Sequence, residues 1–209
     1  FKGKSLFVSM AAEQLHMMDE SITINNLMEN TSEFTLFPRS IMEFSNFAET
    51  HKESDLNFSW KIYNEDLHGT VPLPSIRDGL IYLFKWFQFK NPSKYNNLET
   101  TVEELTRMLD EQAEIYLQNY GYAVPPLVEE LFNGYGYMNM QMGAPKRAKL
   151  FFEMGVKYYP KSANSYDSLA EYYESVEDYP NALKNIKKAF KLSQSDSHNQ
   201  RMKTIQSKL

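Results

Sequence analysis

The side chain best suited to chemistry in this sequence is His68, which lies between a predicted strand and a predicted helix. Residues 56–62 (LNFSWKI) alternate apolar and polar side chains, which is the period of a half-buried strand. From Ile76 to Phe87, apolar residues recur at helical spacing. An imidazole with an ordinary pKa of about 6.5 takes up and returns a proton near neutral pH. His68 is therefore a candidate general base, although an isolated loop histidine is usually a structural residue.

The loop that joins these two elements is residues 66–75 (DLHGTVPLPS). Gly69 allows the backbone to turn sharply, and Pro74 favours the start of a helix. In open α/β sheets, ligands bind in the crevice outside the carboxyl ends of the strands. This pattern places His68 where enzymes of that class hold their catalytic groups.

The segment 66–80 (DLHGTVPLPSIRDGL) closely resembles the end of the enterochelin-esterase-like family of serine α/β-hydrolases. The resemblance covers about residues 1–90. It implies a serine-dependent carboxylic ester hydrolase that acts on a small-molecule ester without a cofactor, with His68 as general base. The resemblance also places the acid of the triad after a strand at 5–10, where Glu13 is the first carboxylate and Asp19 the next.

The nucleophile of such an enzyme is not in this chain, because no Gly-x-Ser-x-Gly motif occurs in it. Some members of the family are described as using a Ser-His dyad, so a catalytic acid is not required in every member. The sequence opens on FKG without an initiator Met or a signal peptide. We therefore interpret it as the C-terminal part of a longer esterase, and expect it to be inactive without an N-terminal half.

A metal site is the competing interpretation of Glu13, His16 and Asp19, whose spacing puts them near one face of a helix. Carboxylate and imidazole ligands suit zinc or manganese. No second histidine-rich cluster accompanies them, so no metal site is predicted.

Composition excludes several functional classes. The net charge of the 209 residues is −5, so there is no global basic field for nucleic acid. The apolar runs are far shorter than the roughly 20 residues of a membrane span. The absence of cysteine excludes disulfides and thiolate metal sites, but does not fix the compartment.

Strand and helix patterns alternate in the first part of the chain. An apolar strand at 5–10 precedes a predicted helix near 21–30 and another that Ser40 and Glu43 would cap. The order strand, helix, strand, helix predicts a parallel pair with a crossover helix, as in a partial α/β-hydrolase. The polar stretch 91–97 predicts a boundary between domains 1–93 and 94–209.

The second domain is predicted to be all helical, with a repeat of 34 residues at about 129–162 and 163–196. Large and small residues recur at this spacing, a pattern that resembles tetratricopeptide repeats, followed by a polar capping helix at 196–209. The matched positions are Phe132, Tyr135, Gly136, Ala148, Phe152, Gly155 and Pro160, then Tyr166, Leu169, Ala170, Ala182, Ile186, Ala189 and Gln194.

The alternative function is that of a non-catalytic protein, a degenerate hydrolase whose repeats bind a protein partner or dimerise. Repeat surfaces commonly serve such interactions. The basic residues of 180–209 could form a docking face, but a solvated helix surface is the preferred explanation.

Overall fold

The structure is a computed structural model that describes residues 3–51 and 55–209. It is predominantly helical, with one two-stranded parallel sheet. The chain divides into two compact units, Phe1–Gln88 and Phe89–Leu209. This division comes earlier than the predicted boundary at 93/94, because Phe89 packs against the buried ring of Tyr95, with the ring centroids 6.3 Å apart.

In the first unit, two strands pair in parallel from Ser5 opposite Asn57 to Ala11 opposite Tyr63. The predicted parallel strand pair is confirmed. The elements in chain order are β1 (Ser5–Ala11), α1 (Glu13–Met18), α2 (Leu36–Thr50), β2 (Asn57–Tyr63) and α3 (Pro72–Leu83), with short 3-10 turns at Leu27–Glu29, Glu33–Thr35 and Lys85–Phe87.

Alternate side chains of a strand point to opposite faces of the sheet, and each face of this sheet is covered by a helix. On one face, Phe58 contacts Phe44 of α2 edge-on, with the ring centroids 5.9 Å apart. On the other face, Phe7 of β1 lies so close to Gly79 of α3 that an added Cβ would be 3.2 Å from its ring. The first unit is thus a small three-layer α/β/α arrangement in which glycine allows α3 to approach the sheet.

One helix prediction for the first unit is wrong, and a second has the helix in the right place but the wrong start. Residues 21–30 form turns and one 3-10 turn, because the side chain of Asn26 accepts from Thr23 and donates to the Ser21 carbonyl, in competition with helical bonds. The helix predicted to begin at Ser40 already begins at Leu36. The Ser40 hydroxyl lies inside that helix and donates to the Leu36 carbonyl.

In the second unit, two pairs of consecutive helices have the predicted 34-residue offset. The first helix of the first pair spans Glu129–Gln141, and the first helix of the second pair spans Ala163–Ser175. Both ends of the helix are therefore shifted by 34 positions. The elements in chain order are a 3-10 turn at Pro92–Tyr95, α4 (Val102–Tyr120), α5 (Glu129–Gln141), α6 (Pro145–Tyr158), α7 (Ala163–Ser175), α8 (Tyr179–Ser193) and α9 (Asp196–Gln206).

Small residues allow the paired helices to approach closely. Ala148, Ala170 and Ala182 are fully buried, as the repeat pattern predicts. An added Cβ at Gly136 would lie within 2.7 Å of three ring atoms of Phe152. The ring of Phe152 on α6 therefore packs directly on Gly136 of α5.

The polar helix α9 covers the end of the second unit, in the predicted position. Its Ile205 is fully buried against α8 and packs in one cluster with Ile186. Arg201, one of the basic residues of 180–209, is not fully solvated but binds Asp167 and Glu174 of α7 at 2.7 and 2.6 Å. The basic face is thus partly neutralised within the unit.

Candidate functional site

The candidate site lies where the two parallel strands of the first unit end. Since the strands are in register, their carboxyl ends meet at one edge of the sheet. The amide of Ala12 donates to the carbonyl of Tyr63 at 2.9 Å, which ties the two chain exits together. Helix α1 begins directly after β1 and the His68 loop follows β2, so these two segments lie side by side.

His68 lies in this loop with its side chain exposed. Its backbone amide donates to the side-chain carbonyl of Gln14 at 3.3 Å. The loop is held from within, because the Thr70 hydroxyl donates to Asp66 at 2.7 Å and accepts from the amide of Leu67 at 3.0 Å. These hydrogen bonds hold the backbone around His68, and this residue lines a cleft.

Glu13, the candidate acid, is the first residue of α1 and is half-buried. Across residues 3–51 and 55–209, no hydrogen bond or ion pair joins its carboxylate to the imidazole of His68. The α1 side chain that reaches the His68 loop is that of Gln14, the next residue. The structure brings the helix start and the loop together, and the role of Glu13 stays a prediction.

The cleft beside His68 has a volume of about 540 Å³ and a predominantly apolar lining. Its polar groups are few: apart from His68 and Gln14, the side chains of Ser9 and Ser75 line it and share a hydrogen bond of 2.6 Å. Its walls are built from β1, α1, α2, the His68 loop and α3, and include Met10, Leu15, Phe37, Ile41, Val71 and Ile76.

Sequence reasoning missed a polar cluster that fastens α3 to β2. Asp78 of α3 accepts from Lys61 at 2.6 Å and from the Tyr63 hydroxyl at 2.9 Å. These two hydrogen bonds lower the pKa of the Asp78 carboxyl. Burial, together with the neighbouring Asp78, raises the pKa of Tyr63 to about 12. The cluster holds the middle of α3 against β2, and a further hydrogen bond of 3.1 Å from the Tyr63 hydroxyl to the Pro74 carbonyl holds the start of the helix.

The alternative metal site at Glu13, His16 and Asp19 does not form. Within the described ranges, no three His, Cys, Asp or Glu side chains come together as a metal site requires. The Asp19 carboxylate instead accepts from the hydroxyl and the amide of Ser21 at 2.6 and 2.9 Å, which lowers the pKa of Asp19. The helix α1 is also too short to carry all three side chains, since it ends at Met18.

Comparison with known proteins gives no independent assignment. A scan against protein-family models finds no match to this chain, and a search of curated proteins finds none either. Of the helices in residues 3–51 and 55–209, none combines the length and the apolar character needed to cross a membrane.

Proposed function

We propose that this chain carries the histidine-bearing part of a serine-dependent carboxylic ester hydrolase. The observation that supports the proposal most strongly is the position of His68, exposed on an apolar cleft at the carboxyl end of a parallel strand pair. A general base needs access to substrate and a fixed backbone, and both are present there. The sequence resemblance of residues 66–80 supports the same assignment.

In the proposed mechanism, the imidazole of His68 takes the proton of a serine hydroxyl as the serine oxygen attacks the ester carbonyl. The same imidazole protonates the departing alcohol, then deprotonates the water that hydrolyses the acyl-serine. The nucleophilic serine and most of the oxyanion hole would come from residues outside these 209. Glu13 is the candidate acid that would orient the imidazole.

Substitution of His68 tests this proposal in the gene product that contains these residues. His68→Ala is expected to lower turnover of 4-nitrophenyl butanoate by about a thousandfold or more, with an unchanged circular dichroism spectrum. The matched control is His16→Ala, which removes an exposed imidazole from nearby α1 and should keep full activity. Near-normal turnover by a folded His68→Ala variant would remove this residue from the mechanism.

The assignment of Glu13 has its own test in the same assay. Glu13→Gln keeps the size of the side chain and removes its charge, so loss of the orienting acid should lower turnover by about a hundredfold or more. Glu20→Gln is the control, because it removes an exposed carboxylate shortly after the same helix. Equal activity of the two variants would remove Glu13 from the mechanism.

We also propose that residues 129–196 are two tetratricopeptide-like repeats. The 34-residue recurrence of the helix ends and the buried alanines at matched positions support this assignment. A second candidate function, binding of a protein partner or dimerisation, is favoured by the same repeat architecture. Sedimentation velocity of the chain at about 1 to 100 µM tests dimerisation. Weak homodimers have dissociation constants of roughly this order. A monomer throughout this range would contradict dimerisation.

A further inference from the structure

The lining of the His68 cleft carries no charged side chain: among the residues that form it there is no Asp, Glu, Lys or Arg. Two of its apolar residues, Met10 and Leu15, are buried and belong to the core of the first unit. Others, such as Phe37 and Ile76, are exposed, at 71% and 60% of their surface. The cleft thus has a fixed apolar floor, and its rim offers apolar surface to a ligand.

Several polar groups of the cleft form hydrogen bonds within the protein. Ser9 and Ser75 share a hydrogen bond, and the side-chain carbonyl of Gln14 accepts from the amide of His68. A charged ligand would lose its hydration here without gaining a counter-charge, which is strongly unfavourable. An uncharged apolar group loses nothing comparable and gains the burial of its own surface.

We propose that this cleft binds the aliphatic acyl chain of a neutral ester, so that the substrates are esters of medium-chain fatty acids. This inference rests on the proposed function, because it takes the ester group to lie at His68. The volume of about 540 Å³ falls within the usual range of small-molecule sites, roughly 300–1,000 Å³. His68 is one of the residues that line the cleft, so an acyl chain held there can have its carbonyl near this residue.

The length of the acyl chain determines how much the binding affinity should change. Each methylene that moves from water into an apolar site contributes about 0.8 kcal/mol, which corresponds to about a fourfold change in affinity. The dissociation constant should therefore fall about fourfold per methylene from methyl butanoate to methyl octanoate. Isothermal titration calorimetry on the 209-residue chain measures binding alone, so failure of this inference is separate from failure of His68 in the hydrolysis assay.

Matched pairs of variants locate the binding. On α2, Phe37→Ser removes a cleft residue, whereas Phe47→Ser removes an equally apolar residue outside the cleft. On α3, Ile76→Ser and Leu80→Ser form the corresponding pair, exposed at 60% and 52%. The cleft variants should weaken binding of methyl octanoate at least roughly tenfold, and the controls less than about twofold. Circular dichroism checks that all four variants are folded.

The last comparison is between a charged ligand, octanoate, and its uncharged methyl ester. At pH 8, octanoate should bind more weakly than methyl octanoate, because the cleft has no cation to pair with the carboxylate. A dissociation constant that does not change with chain length would overturn the inference and leave the cleft as a contact surface for protein. Tighter binding of octanoate than of its methyl ester, or equal loss in cleft and control variants, would overturn it as well.

Discussion

Replacement of Gly136 by alanine is expected to destabilise the second unit, although alanine is the better helix former. In a helix interior this change normally stabilises by about 1 kcal/mol. Here the new Cβ would lie within 2.7 Å of three atoms of the Phe152 ring, which is only 2% exposed. Overpacking of a buried contact costs about 1–3 kcal/mol, and so close a contact belongs at the upper end. The expected net loss is about 2 kcal/mol.

Gly134 provides the matched control in the same helix. It is exposed, and an added Cβ there meets nothing within 4 Å. Gly134→Ala should therefore stabilise by about 1 kcal/mol. Urea unfolding followed by circular dichroism measures both variants. With a slope of about 2 kcal/mol per molar urea, the midpoint should fall by about 1 M for Gly136→Ala and rise by about 0.5 M for Gly134→Ala.

The result that would refute this reasoning is a Gly136→Ala midpoint equal to or above that of the parent chain. It would mean that α5 and α6 do not approach closely at this position. A double-mutant cycle with Phe152→Leu isolates the contact, since the smaller side chain relieves the clash. A coupling free energy of at least about 1 kcal/mol between the two positions is expected.

Three further predictions concern the same unit. Ala182→Leu should lower the stability by about 1–3 kcal/mol in thermal melts, because Ala182 is fully buried between helices. Arg147→Met should cost about 2–3 kcal/mol in urea unfolding, because it removes the donor to two backbone carbonyls, whereas exposed Lys146→Met should be neutral. Burial raises the pKa of Tyr137 and of Tyr173 to about 12. Since the unfolded phenols ionise near pH 10, stability should fall as the pH rises from 10 to 12, which urea midpoints and phenolate absorbance would show.

Local patterns made the strand pair and the helix pairs predictable. The alternation at 56–62 and the small residues spaced 34 apart are signals that a single stretch of chain carries. The turns at 21–30 were not predictable in this way, because Asn26 forms hydrogen bonds that replace a helix whose apolar spacing is present. Such competition depends on side-chain geometry, which periodicity does not reveal.

In the candidate site, too, local features were predictable from the sequence and long-range contacts were not. The loop position of His68 follows from its neighbours in the sequence, but its contact with Gln14 joins residues 54 positions apart. Side chains of consecutive helix residues point about 100° apart around the helix axis. Sequence alone therefore could not decide whether Glu13 or Gln14 faces the loop. The Lys61, Tyr63 and Asp78 cluster was missed for the same reason, since nothing in the local pattern joins a strand residue to one on the following helix.

The strand pairing has a consequence for the order in which the two units form. Ser5 pairs with Asn57, 52 positions further along the chain, so the sheet requires closure of a long loop. In the second unit, each helix of a pair packs on the one that follows it, and such local contacts form fast. During synthesis, β1 leaves the ribosome before β2, so this strand pair cannot form until β2 follows. The first unit is therefore the one in which a slow folding step is expected.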